Sequence, residues 1–162
     1  MRFRHILIAA PSTRVMRWHQ WLRDNLARRW PEAEIAFHLV NKDDAQTGAV
    51  SQLLALERLL LRRMKPTLCD RIEAAGASPD LVARADVIID LAGDIPAAGA
   101  ARVMRPLYDG ASSDQRAVAA LLQGAAPTLA VEDAATRAIL VQGLPSLEAA
   151  DERLAGVGSS LL

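Results

Sequence analysis

Ala85-Asp-Val-Ile-Ile-Asp-Leu-Ala-Gly-Asp94 is the stretch whose reading decides the fold. A β-branched apolar run carries an acid near each end and leaves through Gly93 and Asp94 toward Pro96. A short continuous apolar run bounded by turn residues reads as a fully buried strand of a parallel sheet. Arg4-His-Ile-Leu-Ile-Ala-Ala-Pro-Ser-Thr13 has the same form, an apolar run opening into a loop. Open α/β sheets hold their ligands in such loops, at the carboxyl ends of the strands.

The intervening residues alternate between helix and strand patterns. Val15, Trp18, Leu22, Leu26 and Trp30 recur at spacings of three and four, one face of a helix over 14–30 that stops before Pro31. Residues 34–40 alternate apolar and polar and read as a second strand. After the polar loop Asn41–Gly48, an amphipathic helix is expected over 49–65, restarted at Pro66 and ended at Gly76. Strand 85–92 follows, then an extended segment at Arg102–Tyr108. A short helix is expected next, opened by Ser112 with Gln115 and carrying Val118, Leu121 and Leu122. Pro127–Glu132 and Thr136–Gln142 read as a hairpin, and Ser146 caps a last helix with Leu147, Ala150 and Leu154 on one face.

This order predicts an α/β fold: a three-layer, Rossmann-like, mostly parallel sheet with an antiparallel hairpin at the C-terminal edge. Trp18, Leu22, Leu54, Leu61, Ile88 and Ile89 are its expected buried residues. The 162 residues make one ordinary domain with a sizeable core. The apolar ending Leu161-Leu162 leaves room for it to be the first domain of a longer protein.

Composition excludes several chemistries. Nineteen Lys and Arg balance nineteen Asp and Glu, so no general attraction to nucleic acid is expected. The charge is unevenly laid out, with seven Arg against Asp24 alone in residues 1–30 and three Arg against seven acids in residues 106–162. Cys69 is the only cysteine, so one chain builds no disulfide and no Cys-based zinc site. No apolar run approaches a membrane span or a signal-peptide core, and the expected compartment is the cytoplasm. The loop Ala9-Ala-Pro-Ser-Thr13 lacks the glycines that let a dinucleotide pyrophosphate approach, and no cofactor or metal is indicated.

Two groups of residues remain as candidates. Arg14 and Arg17 fall in the expected first turn of helix 14–30, where the dipole favours acids. With the hydroxyls of Ser12 and Thr13 and the helix N–H groups, they resemble a receptor for phosphate, sulfate or carboxylate. The competing reading makes Ser12 or Thr13 a plain helix cap. The second group is acidic. Asp94 and Asp109, each beside a glycine, stand at loop entries where they could bind a hydroxyl-rich ligand or a cation or serve as a base; turn-forming or helix-capping roles compete with this. Asp90 lies inside the apolar run and requires an Arg or helix N-terminus as partner. Of the histidines, His5 is expected inside a strand, His19 on the wet side of its helix, and His38 near the end of the second strand.

The layout of Arg4–Thr13, Leu54-Ala-Leu-Glu-Arg-Leu-Leu-Leu-Arg-Arg63 and Ala85–Gly93 resembles the formyltransferase-like amino-terminal domain of certain bacterial multidomain proteins. There such a domain precedes one similar to glucosamine inositolphosphorylceramide transferases. Ala138-Ile-Leu-Val-Gln-Gly143 and Ser146-Leu-Glu148 are similar to the closing hairpin and helix. Formyltransferases place an Asn and a His together after a central strand. Arg102-Val-Met-Arg-Pro-Leu-Tyr-Asp-Gly110 has neither, and Asn25 and Asn41 lie far upstream. The resemblance and this departure imply a non-catalytic or degenerate module that binds a small anionic or sugar-like ligand or docks a C-terminal transferase domain; the loop residues read above, Ser12, Thr13, Arg14 and Asp94, are the ones expected to hold the ligand. The alternative is a formyl- or glycosyl-type group transferase using Asp94 or Asp109 as base.

Overall fold

The computed structural model describes residues 3–41, 70–97, 99–112, 116–117, 119–120 and 123–144. Six strands form one mixed sheet: β1 (His5–Pro11), β2 (Glu34–Val40), β3 (Val87–Asp90), β4 (Arg102–Tyr108), β5 (Leu129–Asp133) and β6 (Ile139–Gly143). Their spatial order is β2-β1-β3-β4-β5-β6. The first four run parallel, and β5 and β6 are added antiparallel. The fold is therefore α/β, mostly parallel, with an antiparallel hairpin at the C-terminal edge.

The central strand explains the continuous apolar run. Ile6 to Ala10 of β1 are all buried because side chains pointing either way meet a core. On one face Leu7 and Ala9 cluster with Ile88, Val103 and Leu81, the last from the short helix α2 (Pro79–Ala83). On the other, Ile8, Ala10, Val15 and Phe37 meet Leu22 and Leu26 of helix α1 (Arg17–Arg29). Alternation with period two along each strand divides these two clusters.

Several expectations need correction. Helix α1 begins at Arg17, not at 14. Ser12–Arg14 form a separate 3-10 turn, and Met16 takes the N-cap position with extended backbone. The delay follows from Val15, which reaches into the core at 3% exposure and holds the chain extended there. Trp18 and Leu22 are half-buried rather than buried, as is Ile89, while Ile88 is buried as expected. Asp70–Gly76 is not helical: Arg71 bridges Met16, Gly76 bridges Phe37, and the Ile72 N–H donates to the Val15 carbonyl at 2.9 Å. Helix α2 was not anticipated, although Ser78-Pro79-Asp80 carries its signal. The Ser78 hydroxyl accepts the Leu81 N–H at 3.3 Å and proline occupies the first turn.

The strand at 85–92 is shorter than its apolar run. Asp86 precedes it, and its Oδ2 accepts the N–H groups of Arg4 at 2.7 Å and His5 at 2.9 Å. Those backbone hydrogen bonds hold the Asp86 carboxyl below the usual carboxylate range. His5 is half-buried instead of enclosed, with Nδ1 3.9 Å from the same carboxylate. The expected helix 49–65 with Leu54 and Leu61, and the last helix after Ser146, lie outside the described residues. In the expected helix after Ser112, residues 116–117 and 119–120 are helical, whereas Gln115, Val118, Leu121 and Leu122 lie outside the description. Among the described residues no helix is long and apolar enough to cross a membrane.

Candidate functional site

The strand order sets the geometry of any site. From β1 the chain crosses to β2 on one side and then returns to place β3 on the other. Both β1 neighbours are parallel to it, so the chains leaving β1 and β3 emerge side by side at one edge and turn away from each other. In open α/β sheets this reversal is where a crevice forms. Ala9 stands opposite Asp90, so the edge between β1 and β3 is flanked by the turn Ser12–Arg14 and the loop from Leu91 to Ala97.

Ser12 and Thr13 are exposed on that turn, and Arg14 is half-buried. Neither hydroxyl caps α1, contrary to the simpler sequence reading. The helix N-terminus is itself occupied. The Arg17 N–H donates to the Asp70 carbonyl at 2.8 Å, and the Met16 N–H donates to His19 Nδ1 at 3.0 Å. An anion at this edge would therefore address the turn rather than the first turn of α1.

His19 overturns its expected place on the wet side. It is buried at 4% exposure, and its ring centroid lies 3.8 Å from that of Trp18. Accepting the Met16 N–H requires an unprotonated Nδ1. Burial, reinforced by the nearby Arg14 charge, lowers its pKa to about 4. Arg14 thus sits within electrostatic reach of the group that fixes the start of α1.

The acids separate into different roles. Asp90 is fully buried and saturated: Oδ1 accepts the Gly93 N–H at 2.8 Å, and Oδ2 accepts the Ile95 N–H at 3.1 Å and Arg105 Nε at 2.9 Å. Arg105 also donates to the Ile95 carbonyl at 2.8 Å. On its far side Arg105 Nη1 lies 3.8 Å from Glu132 Oε1, which receives Arg137 Nη1 at 2.6 Å. Arg105 is opposite Glu132 in the β4–β5 register. A row of alternating charges therefore runs across β3, β4 and β5 beneath the loop that carries Asp94. Sequence reading required a partner for Asp90 but missed Arg105, Glu132 and Arg137, because cross-strand pairing is not visible in linear sequence.

Asp94 is exposed on the loop. Asp109 is exposed in the turn after β4, with φ +48°. Its Oδ1 accepts the Thr128 N–H at 2.8 Å and its own N–H donates to the Thr128 carbonyl at 2.9 Å, which is the turn-forming role. The two loops approach each other: a Cβ on Gly93, at φ +82°, would lie 3.4 Å from Ser112 Oγ. Gly93 and Ser112 thus join the loops of Asp94 and Asp109 at the sheet edge. His38 is half-buried on β2, opposite Ala9. Among the described residues, no group of three His, Cys, Asp or Glu side chains is placed to hold a metal ion.

Comparison with protein-family models, curated proteins and solved structures finds no match to this chain.

Proposed function

We propose that the chain is a non-catalytic or degenerate formyltransferase-like module with a three-layer Rossmann-like architecture, acting in the cytoplasm. It binds a small anionic or sugar-like ligand in the crevice between the ends of β1 and β3. The reversal of strand order at that edge is the observation that carries this reading. Arg14 supplies a guanidinium for the anionic end, Ser12 and Thr13 supply hydroxyls, and Asp94 accepts from ligand hydroxyls.

Two features support binding over catalysis. Asp90, the acid most enclosed beside the crevice, has both oxygens engaged by the loop and Arg105. Asp109, one of the two candidate bases of a group transferase, is committed to Thr128. The stretch Arg102–Gly110 also lacks the Asn and His needed to stabilise a formyl oxyanion and move a proton.

Calorimetry with a panel of sugar phosphates and nucleotide sugars tests the reading. Arg14→Ala is expected to weaken a phosphate-bearing ligand by about 1.5–3 kcal/mol, the scale of a hydrogen bond to a charged group. Equal binding by wild type and Arg14→Ala contradicts it. Docking of a C-terminal transferase domain is then the reading to pursue.

A further inference from the structure

Helix α1 divides its side chains sharply. Leu22 and Leu26 pack into the core, His19 is buried, and the Arg23 guanidinium lies 5.8 Å from the Phe37 ring centroid. Arg17, Trp21, Asp24 and Arg28 recur at spacings of four, three and four on the opposite side, and all are exposed. A tryptophan in the middle of a solvent-facing stripe is unusual, and Trp21 leaves 49% of its surface open. Trp30 adds a second indole at the helix end, 40% exposed.

The charge along α1 is one-sided. Asp24 is the only acid of α1, and Arg23 engages it at 3.0 Å while Gln20 donates to it at 2.9 Å. That leaves Arg17, Arg28 and Arg29 as the excess charge of the helix. Arg28 is already positioned, its Nη2 donating to Asn25 Oδ1 at 2.6 Å, while Asn25 Nδ2 donates to the Trp21 carbonyl at 2.7 Å. Every Lys or Arg before Lys42 is arginine. Trp and Arg without Lys is the composition of protein-interface anchors, since both present planar, pre-organised surface.

We propose that this outer face of α1 is a docking surface for an acidic protein segment. Arg28, Arg29 and Arg17 meet its carboxylates, and Trp21 provides the desolvated apolar contact between them. A bilayer surface fits less well, because the leucines that would enter it are spent on the sheet. The proposal is independent of the crevice between β1 and β3.

The test follows the indole N–H resonances of the isotopically labelled full chain. A peptide of repeated Glu-Glu-Leu is titrated in, with repeated Gln-Gln-Leu as its neutral counterpart. The acidic peptide is expected to shift the Trp21 resonance and to bind roughly tenfold more tightly than the neutral one, the advantage shrinking at high salt. Trp21→Ala and Arg28→Ala lie on the solvent face, and each is expected to weaken binding by roughly fivefold or more while the amide spectrum keeps the dispersion of the folded chain. Equal binding of the two peptides, no shift at Trp21, or unaltered binding by both variants overturns the proposal. So does tighter engagement of the same face by single-stranded DNA or by vesicles of phosphatidylcholine and phosphatidylglycerol.

Discussion

Asp90 of β3 and Arg105 of β4 form a buried ion pair, with Arg105 Nη2 and Nε both 2.9 Å from Asp90 Oδ2. The pair joins two parallel strands and, through Gly93 and Ile95, fixes the loop that leads to Asp94. Without Arg105 the Asp90 carboxylate is an uncompensated buried charge, and without Asp90 the guanidinium loses its nearest carboxylate; breaking such a pair costs about 3–5 kcal/mol. Asp90→Ala and Arg105→Ala are therefore each expected to destabilise by that amount in urea melts. The double variant is expected to cost clearly less than the sum, since it leaves no unpaired charge. Additive losses would mean that the pair is not coupled.

His19 makes stability pH-dependent. Its folded pKa of about 4 lies below the ordinary histidine value of 6.5, so the unfolded chain binds the proton more readily between these values. Stability contributed by neutral His19 is complete above about pH 6.5 and is lost as pH falls toward 4, amounting to about 3 kcal/mol. His19→Gln, which cannot titrate, is expected to flatten that part of the stability profile. An unchanged pH slope between wild type and variant would refute the assignment.

Gly93 is held by its backbone. At φ +82° an L side chain is strained, while a Cβ would meet Ser112 Oγ at 3.4 Å, an ordinary van der Waals contact. Gly93→Ala is expected to cost about 1–2 kcal/mol. Gly124, at φ +75° with nothing within 4 Å, is the control, since alanine there meets only the backbone cost. Similar losses at the two glycines place the cost in the backbone; a Gly93→Ala variant as stable as wild type would contradict it.

Burial separates two apolar substitutions that sequence spacing alone treats alike. Ile88→Ala, at an 8% exposed site between two strands, is expected to cost about 2–5 kcal/mol. Leu22→Ala, at a half-buried site on α1, is expected to cost about 1 kcal/mol. Urea melts of the two variants measure this, and the reverse ranking would contradict the described packing.

What could be read from the sequence follows from how local each signal is. The runs at Ile6–Ala10 and Val87–Asp90 identified buried parallel strands because both faces of the sheet are covered there. The hairpin was equally legible, from alternation around Asp133–Ala135. The start of α1 was not. Ser12 and Thr13 have the chemistry of a cap, but the extended step at Val15 and Met16 is fixed by residues 70–72, far along the chain. His19 shared the spacing of Leu22 and Leu26, three and seven residues on, and choosing Trp18 for the inner stripe put it on the wrong side. At the candidate site, Ser12, Thr13, Arg14 and Asp94 were legible as loop residues after strands. Arg105 became the partner of Asp90, and Glu132 a neighbour of Arg105, only once β4 and β5 were placed beside β3.

A ligand held between the ends of β1 and β3 must contact both Ser12–Arg14 and the loop of Asp94. Amide chemical-shift mapping with a phosphate-bearing sugar nucleotide addresses it most directly. Saturable shifts are expected at Ser12, Thr13, Arg14 and Asp94, and they are expected to disappear in Arg14→Ala. Shifts confined to the β5–β6 hairpin or the outer face of α1, with Ser12–Arg14 unmoved, would contradict it.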